Sequence, residues 1–200
     1  AEAPDQLPPN ILPRPSSMQM GEGHLLLAGQ KVAVVDDGSR EAGSRFISLL
    51  QRSGGPQLSF HSTGRIRFLR DASVAEPEGY RLTVTPEGAE VRASTDAGLY
   101  YGAVTLWQLS DGGRLPVVSI TDAPAFGWRG LMIDSVRHFQ QPDEIKALIV
   151  RMAEAKLNRL HWHLTDDQGW RLPVEKHPEL TRIGGCRRPA GAAGTAADGG

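Results

Sequence analysis

Two patterns of hydrophobic and polar positions divide the chain. Between Leu25 and Ile120 the short apolar segments mostly alternate with polar residues. Tyr80-Arg-Leu-Thr-Val84 does so cleanly, turns at Pro86-Glu-Gly88 and returns as Ala89-Glu-Val-Arg-Ala93, which predicts an antiparallel hairpin. Leu25–Leu27, Lys31–Val35, Arg65–Leu69 and Leu115–Ile120 read as further strands. Two helices interrupt them. The first carries Ala42, Phe46, Ile47, Leu49 and Leu50 on one stripe, with Ser39 as its predicted cap and Gly54-Gly55-Pro56 as its stop. The second carries Leu99, Tyr100, Ala103, Leu106 and Trp107, capped by Ser94 or Asp96 and ending before Gly112-Gly113. Strands with two interspersed helices predict a small α+β domain.

From Phe126 the pattern changes. Arg129-Gly-Leu-Met-Ile-Asp-Ser135 holds a continuous apolar run, the signature of a parallel strand covered on both faces. Pro142 then opens a helix, Asp143 and Glu144 suit its dipole, and Ile145, Leu148, Ile149, Met152 and Ala153 form its buried stripe. Lys156 and Asn158 suit its end. A second strand, Arg159–Leu164, completes a βαβ unit with parallel strands. The expected order is a proline-rich leader over 1–17, an α+β domain over 18–123, and a parallel α/β region over 124–200, ending in a small-residue loop from Gly184. One βαβ unit cannot cover its own sheet, so the expectation is either a piece of a longer protein or another way of burying those strands.

Parallel strands point their carboxyl ends to one side, where α/β proteins place their ligand crevices. Arg137 and His138, just after the first strand, should therefore approach Asp166 and Asp167, just after the second. A guanidinium beside carboxylates donates and accepts hydrogen bonds as a polyhydroxyl ligand requires. The blander reading makes Arg137 an ion-pair partner of Asp134 or Asp166, and Asp166 a capping residue. Asp167 is read as structural, because adjacent residues seldom enter one pocket. His161 and His163 share a strand face, and this opens a second reading, a metal-dependent barrel hydrolase using His161 and His163. Against it stands a hydrogen-bonded histidine inside the barrel. Trp170 reads as packing before it reads as a sugar platform.

Composition narrows the partners. The 200 residues are 40% hydrophobic and 22% charged with a net charge of -1, so no basic face offers itself to nucleic acid or an anionic membrane. No apolar run is long enough to span a bilayer. The single cysteine, Cys186, excludes an internal disulfide and a cysteine-only metal site, and is read as a spectator. Ala1-Glu-Ala-Pro-Asp5 lacks the basic start and apolar core of a signal peptide, and the expectation is a periplasmic or secreted mature chain.

Three segments carry a resemblance: Arg129–Phe139, Lys156–Arg171 with its core His161-Trp-His-Leu-Thr-Asp-Asp-Gln-Gly-Trp170, and Pro178–Gly184. They closely resemble the start of the catalytic barrel of glycoside hydrolase family 20, the β-N-acetylhexosaminidases. Gly98–Leu109 and Ile120–Pro124 resemble the end of the α+β domain that precedes that barrel. The resemblance implies that 124–200 is the start of a (β/α)8 TIM barrel, in a retaining enzyme that removes terminal N-acetylglucosamine or N-acetylgalactosamine from β-linked glycans or chitooligosaccharides. Catalysis is substrate-assisted: the acetamido oxygen attacks the anomeric carbon while a glutamic acid protonates the leaving oxygen. It further implies that Arg137 binds the outer sugar hydroxyls, that Asp166 supports the site, and that His163 and His138 lie beside the pocket. No cofactor is implied. The family's Asp-Glu acid–base pair follows its fourth barrel strand, so it is expected beyond Gly200 and these 200 residues alone are expected to be inactive. A non-catalytic carbohydrate-binding module is the remaining alternative.

Overall fold

A computed structural model describes residues 9–186, which divide into two compact units at Ala125 and Phe126. The first unit is a seven-stranded mixed sheet with two helices on it. Its strands are β1 (Ser17–Leu26), β2 (Lys31–Val32), β3 (Ser59–Phe60), β4 (Ile66–Arg70), β5 (Tyr80–Thr85), β6 (Gly88–Ala93) and β7 (Arg114–Asp122), in the order β1-β7-β5-β6-β4-β2-β3. The β1/β7, β7/β5 and β5/β6 pairs are antiparallel, and β6, β4, β2 and β3 run parallel. The helices α1 (Asp37–Arg52) and α2 (Asp96–Gln108) pack on each other, on β4, and on β5 and β6.

Alternation along the strands explains the layering. Tyr80, Leu82, Val84, Ala89, Val91 and Ala93 are buried, while Arg81, Thr83, Glu90 and Arg92 between them are not. The buried set joins Phe46, Leu50, Phe68, Leu99 and Leu106 in one core. The helix and sheet approach closely at Gly102, where an added Cβ would lie 2.2 Å from Val91 Cγ1. The buried Tyr80 hydroxyl lies 2.7 Å from Thr105 Oγ1 and donates to Asp122 Oδ2 at 2.8 Å. Burial, reinforced by the Asp122 charge, raises the Tyr80 pKa far above the phenol range.

Several boundaries differ from the sequence reading, each for a physical reason. Asp36, not Ser39, caps α1: its carboxylate accepts the Ser39 amide at 2.6 Å while the Ser39 hydroxyl accepts the Asp36 amide at 2.9 Å. Forming that box ends β2 after Val32, since the Val35 amide also donates to Ser39 Oγ. Thr95, rather than Ser94 or Asp96, caps α2 by accepting the Gly98 amide. β1 begins at Ser17 and bulges between Met20 and His24, where glycines hide its alternation. Ile11, within the expected leader, is buried in the core.

The second unit is a βαβ unit followed by a long loop. Strands β8 (Gly130–Asp134) and β9 (Arg159–His163) pair in parallel from Gly130 opposite Arg159 to Asp134 opposite His163, with α3 (Pro142–Glu154) between them. The loop after β9 includes a short helix, α4 (Glu179–Arg182). Pro142 opens α3, and Glu144 accepts the Gln141 amide at 2.7 Å. At its end the Leu157 amide donates to Met152 O and the Lys156 amide to Ala153 O, with Lys156 at φ 58. This is a Schellman stop with lysine where glycine is usual. Only Ile145 and Met152 of the expected stripe are buried, and Ile149 is 46% exposed. The end of the small-residue loop, from residue 187, lies outside the described residues.

Candidate active site

The site begins with the way β8 ends. Asp134 accepts the main-chain amides of Val136 and Arg137 on Oδ1, at 3.0 and 3.1 Å, and so folds the chain back at the strand's carboxyl end. That turn points Arg137 toward β9. Its Nη1 lies 3.4 Å from Asp134 Oδ2, 3.0 Å from Asp166 Oδ2 and 3.1 Å from His163 Nδ1. His163 Nε2 is in turn 3.2 Å from Asp166 Oδ2. Asp134 and His163 are register partners, so the parallel pairing itself brings the two sides together.

His163 bridges the cluster through both ring nitrogens: Arg137 Nη1 lies 3.1 Å from Nδ1 and 3.5 Å from Nε2, and Nδ1 is also 3.4 Å from Asp134 Oδ1. Both carboxylates are held in the ionised form. Burial opposes ionisation of Asp134, but the Arg137 amide, the Arg137 and His163 charges and the Val136 amide outweigh it, keeping its pKa below the ordinary 3.8. For Asp166 the Asp167 amide is the leading cause, donating at 2.8 Å, and the Arg137 and His163 charges add to it against burial. The result is a half-buried network of two carboxylates, a guanidinium and an imidazole, able to donate and accept along one edge.

The structure thus brings together Arg137, Asp166 and His163 and adds Asp134, which the sequence reading weighed only as an ion-pair partner. Arg137 pairs with both aspartates, as the ion-pair reading expects. His138 is exposed, and its amide donates to Asp134 O at 3.3 Å. Asp167 contributes its amide, which donates to Asp166 Oδ1 at 2.8 Å. His161 shares the strand face of His163 but is exposed two register positions away, opposite Met132. Among the described residues no group of three or more His, Cys, Asp or Glu side chains could hold a metal ion, so the His161/His163 reading gains no support.

Beside Asp166 and Asp167 lies a cleft of about 630 Å³ lined by Trp170, Lys176, His177, Leu180 and Ile183. Trp170 is half-buried there and its indole donates to Leu172 O at 2.6 Å. The only Asp-Glu dipeptide of the sequence, Asp143-Glu144, is committed to the start of α3: Glu144 caps the helix and Asp143 lies 3.0 Å from Lys146. The sequence reading missed Arg171, which bonds to main-chain oxygens of both loops. Its signal is faint, an arginine after Gly169-Trp170 with no acidic neighbour.

Comparison with known proteins covers both units. Residues 8–123 match the model of glycosyl hydrolase family 20, domain 2, and residues 126–197 match that of the glycosyl hydrolase family 20 catalytic domain. A beta-hexosaminidase of Akkermansia muciniphila is 41% identical over 70% of this chain and 30% of that protein. A beta-N-acetylhexosaminidase of Cellulomonas fimi is 37% identical over 86% of this chain and 38% of its own length. Among solved structures, the GH20 exo beta-N-acetylglucosaminidase from Vibrio harveyi in complex with N-acetylglucosamine superposes with a TM-score of 0.82 at 34% identity, covering 89% of this chain and 29% of that one. The N-acetyl-beta-hexosaminidase of Streptomyces plicatus gives a TM-score of 0.76 at 32% identity, over 87% of this chain and 38% of that one. The chain spans about a third of the length of these relatives.

Proposed function

The chain belongs to glycosyl hydrolase family 20, and from that premise we propose that the protein carrying it is a retaining exo-β-N-acetylhexosaminidase. Its substrates are glycans or chitooligosaccharides ending in β-linked N-acetylglucosamine or N-acetylgalactosamine. The observation that carries the reading is the Arg137–Asp166 pair at 3.0 Å, held at the carboxyl ends of two adjacent parallel strands. Relatives named beta-hexosaminidase and N,N'-diacetylchitobiase support the substrate class.

In this reading the chain supplies the wall that receives the sugar. Arg137 donates to its outer hydroxyls, oriented by Asp134 and Asp166, and His163 joins Arg137 to Asp166. The acetamido oxygen of the substrate is the nucleophile, as family 20 is substrate-assisted. It forms a bond to the anomeric carbon as the glycosidic C–O bond breaks, and an enzymic carboxylic acid protonates the departing oxygen. Asp143-Glu144 is tied up at the start of α3, so that acid is assigned to the rest of the protein. A periplasmic or secreted location belongs to the same proposal.

The test is hydrolysis of p-nitrophenyl N-acetyl-β-glucosaminide by the whole protein, with the first-formed anomer read by NMR. Release of the β-anomer is expected. No turnover, or inversion, overturns the proposal.

A further inference from the structure

Arg137 can receive a sugar only if the turn bearing it is held still, and three groups converge on that turn. The Ser135 amide donates to His163 O at 3.0 Å, which continues the sheet. The Trp162 indole donates to Ser135 Oγ at 2.8 Å, and that hydroxyl donates to Gln140 Oε1 at 2.6 Å. The third group is Arg171, from the loop after β9. Its Nε donates to Ser135 O at 3.0 Å, its Nη2 to Val136 O at 3.3 Å, and its Nη1 to Gly185 O. Its guanidinium Cζ lies over the Phe139 ring, 5.2 Å from the centroid.

These contacts cross between loops. Ser135 and Val136, both buried, immediately precede Arg137, while Gly185 closes the loop that begins beside Asp166. One planar fork therefore joins the backbone bearing the arginine to the loop bearing its carboxylate partner. Gly169 shows how tightly the loops meet: a Cβ there would lie 2.8 Å from Val136 O and 3.3 Å from Arg171 Nη2, and its φ of +79 favours glycine. Lysine could not reproduce the clamp, because a single ammonium cannot span acceptors that a rigid fork bridges.

We infer that Arg171 is a positioning residue: it clamps the Ser135–Val136 backbone to the loop after β9 and so sets the distance between Arg137 and Asp166. The inference rests on the hexosaminidase reading for its functional consequence, but the clamp has a readout of its own. Arg171 touches no substrate in this scheme and acts only through Arg137.

The experiment is a double-mutant cycle in the whole protein, with Arg171→Ala and Arg171→Lys each made alone and with Arg137→Ala. Arg171→Lys keeps the charge and aliphatic stem, so it serves if the alanine variant does not fold. Either single variant should lower kcat/KM for p-nitrophenyl N-acetyl-β-glucosaminide roughly ten-fold or more, chiefly through KM. In the Arg137→Ala background the same change should cost almost nothing, because the group being positioned is gone. An equal loss in both backgrounds marks a general structural role and overturns the inference, as does wild-type kcat/KM in both single variants. Hydrogen exchange is the independent arm. The Val136 and Arg137 amides should exchange faster in Arg171→Lys while those of Tyr80–Ala93 do not change, and unchanged exchange overturns the clamp. If the wild type shows no turnover, the hexosaminidase reading fails, and exchange alone decides whether Arg171 clamps the turn.

Discussion

Arg137 Nη1 and Asp166 Oδ2 stand 3.0 Å apart although they close two different strands, and His163 touches both. Neither residue is deeply buried, with side-chain exposures of 39% and 34%, so the pair alone adds little stability. Its value lies in orientation. Arg137→Lys in the whole protein should fold normally and lower kcat/KM toward an N-acetyl-β-glucosaminide by about 10- to 100-fold, because a point charge cannot meet both carboxylates and a sugar as a fork does. Steady-state kinetics check this, and wild-type KM in the lysine variant would remove Arg137 from the binding wall.

The carboxylates make a pH prediction. Asp134 and Asp166 both have folded pKa values below the ordinary 3.8, so their stabilisation is fully present above that value and fades as pH falls through the lowered ones. Thermal unfolding should thus show a contribution that is constant above about pH 5 and declines below pH 4. Asp166→Asn should reduce that acid-side slope without changing the slope at neutral pH. An unchanged acid limb in the asparagine variant would mean that Asp166 is not held by the cluster.

How far this site could be read in the sequence depended on which chemistry was involved. Arg137 and Asp166 meet because a βαβ unit forces parallel strands, and the apolar run of β8 together with the α3 pattern announces that unit. Arg171 could not be read in the same way, since its acceptors are main-chain oxygens, which every residue has. The α2 cap shows a similar limit. Ser94, Thr95 and Asp96 all have capping side chains, and only the extended backbone at Thr95, φ -132 and ψ 167, selects among them. The α3 stripe overstated burial because periodicity marks a face without saying what covers it, and Ile149 stays 46% exposed.

In the first unit, Tyr80 ties β5 to α2 and β7 through Thr105 and Asp122. Tyr80→Phe keeps the ring packed but removes the hydroxyl's contacts with Thr105 and Asp122. The expected cost is about 1–3 kcal/mol, read as a lower urea midpoint with an unchanged m-value. A loss near zero would show that water replaces the hydroxyl.

Gly169→Ala tests the close approach of the loops without removing a charged group. Its φ of +79 and the Val136 carbonyl 2.8 Å from an added Cβ both oppose a side chain. About 1–3 kcal/mol of strain is expected locally. The weaker loop contact should appear as a raised KM with the secondary structure intact by circular dichroism. If Gly169→Ala matches wild type in both stability and KM, the loops have room that this geometry denies them.

The exposed apolar side chains of the second unit set the last expectation. Leu131 and Met132 on β8 and Trp162 on β9 are 39%, 54% and 42% exposed, and Trp128 and Phe139 nearby are 64% and 58% exposed. A two-stranded parallel sheet lacks the cover that such sheets normally have on both faces. The first unit, by contrast, has a continuous core of its own. Residues 1–200 expressed alone should therefore bind a hydrophobic dye, and limited proteolysis should cut within 126–186 before it cuts the first unit. The same preparation should not hydrolyse p-nitrophenyl N-acetyl-β-glucosaminide, because Asp143-Glu144 is occupied in starting α3 and no other Asp-Glu pair is present. Turnover above blank would place the acid among residues 1–200 and would require a different catalytic assignment.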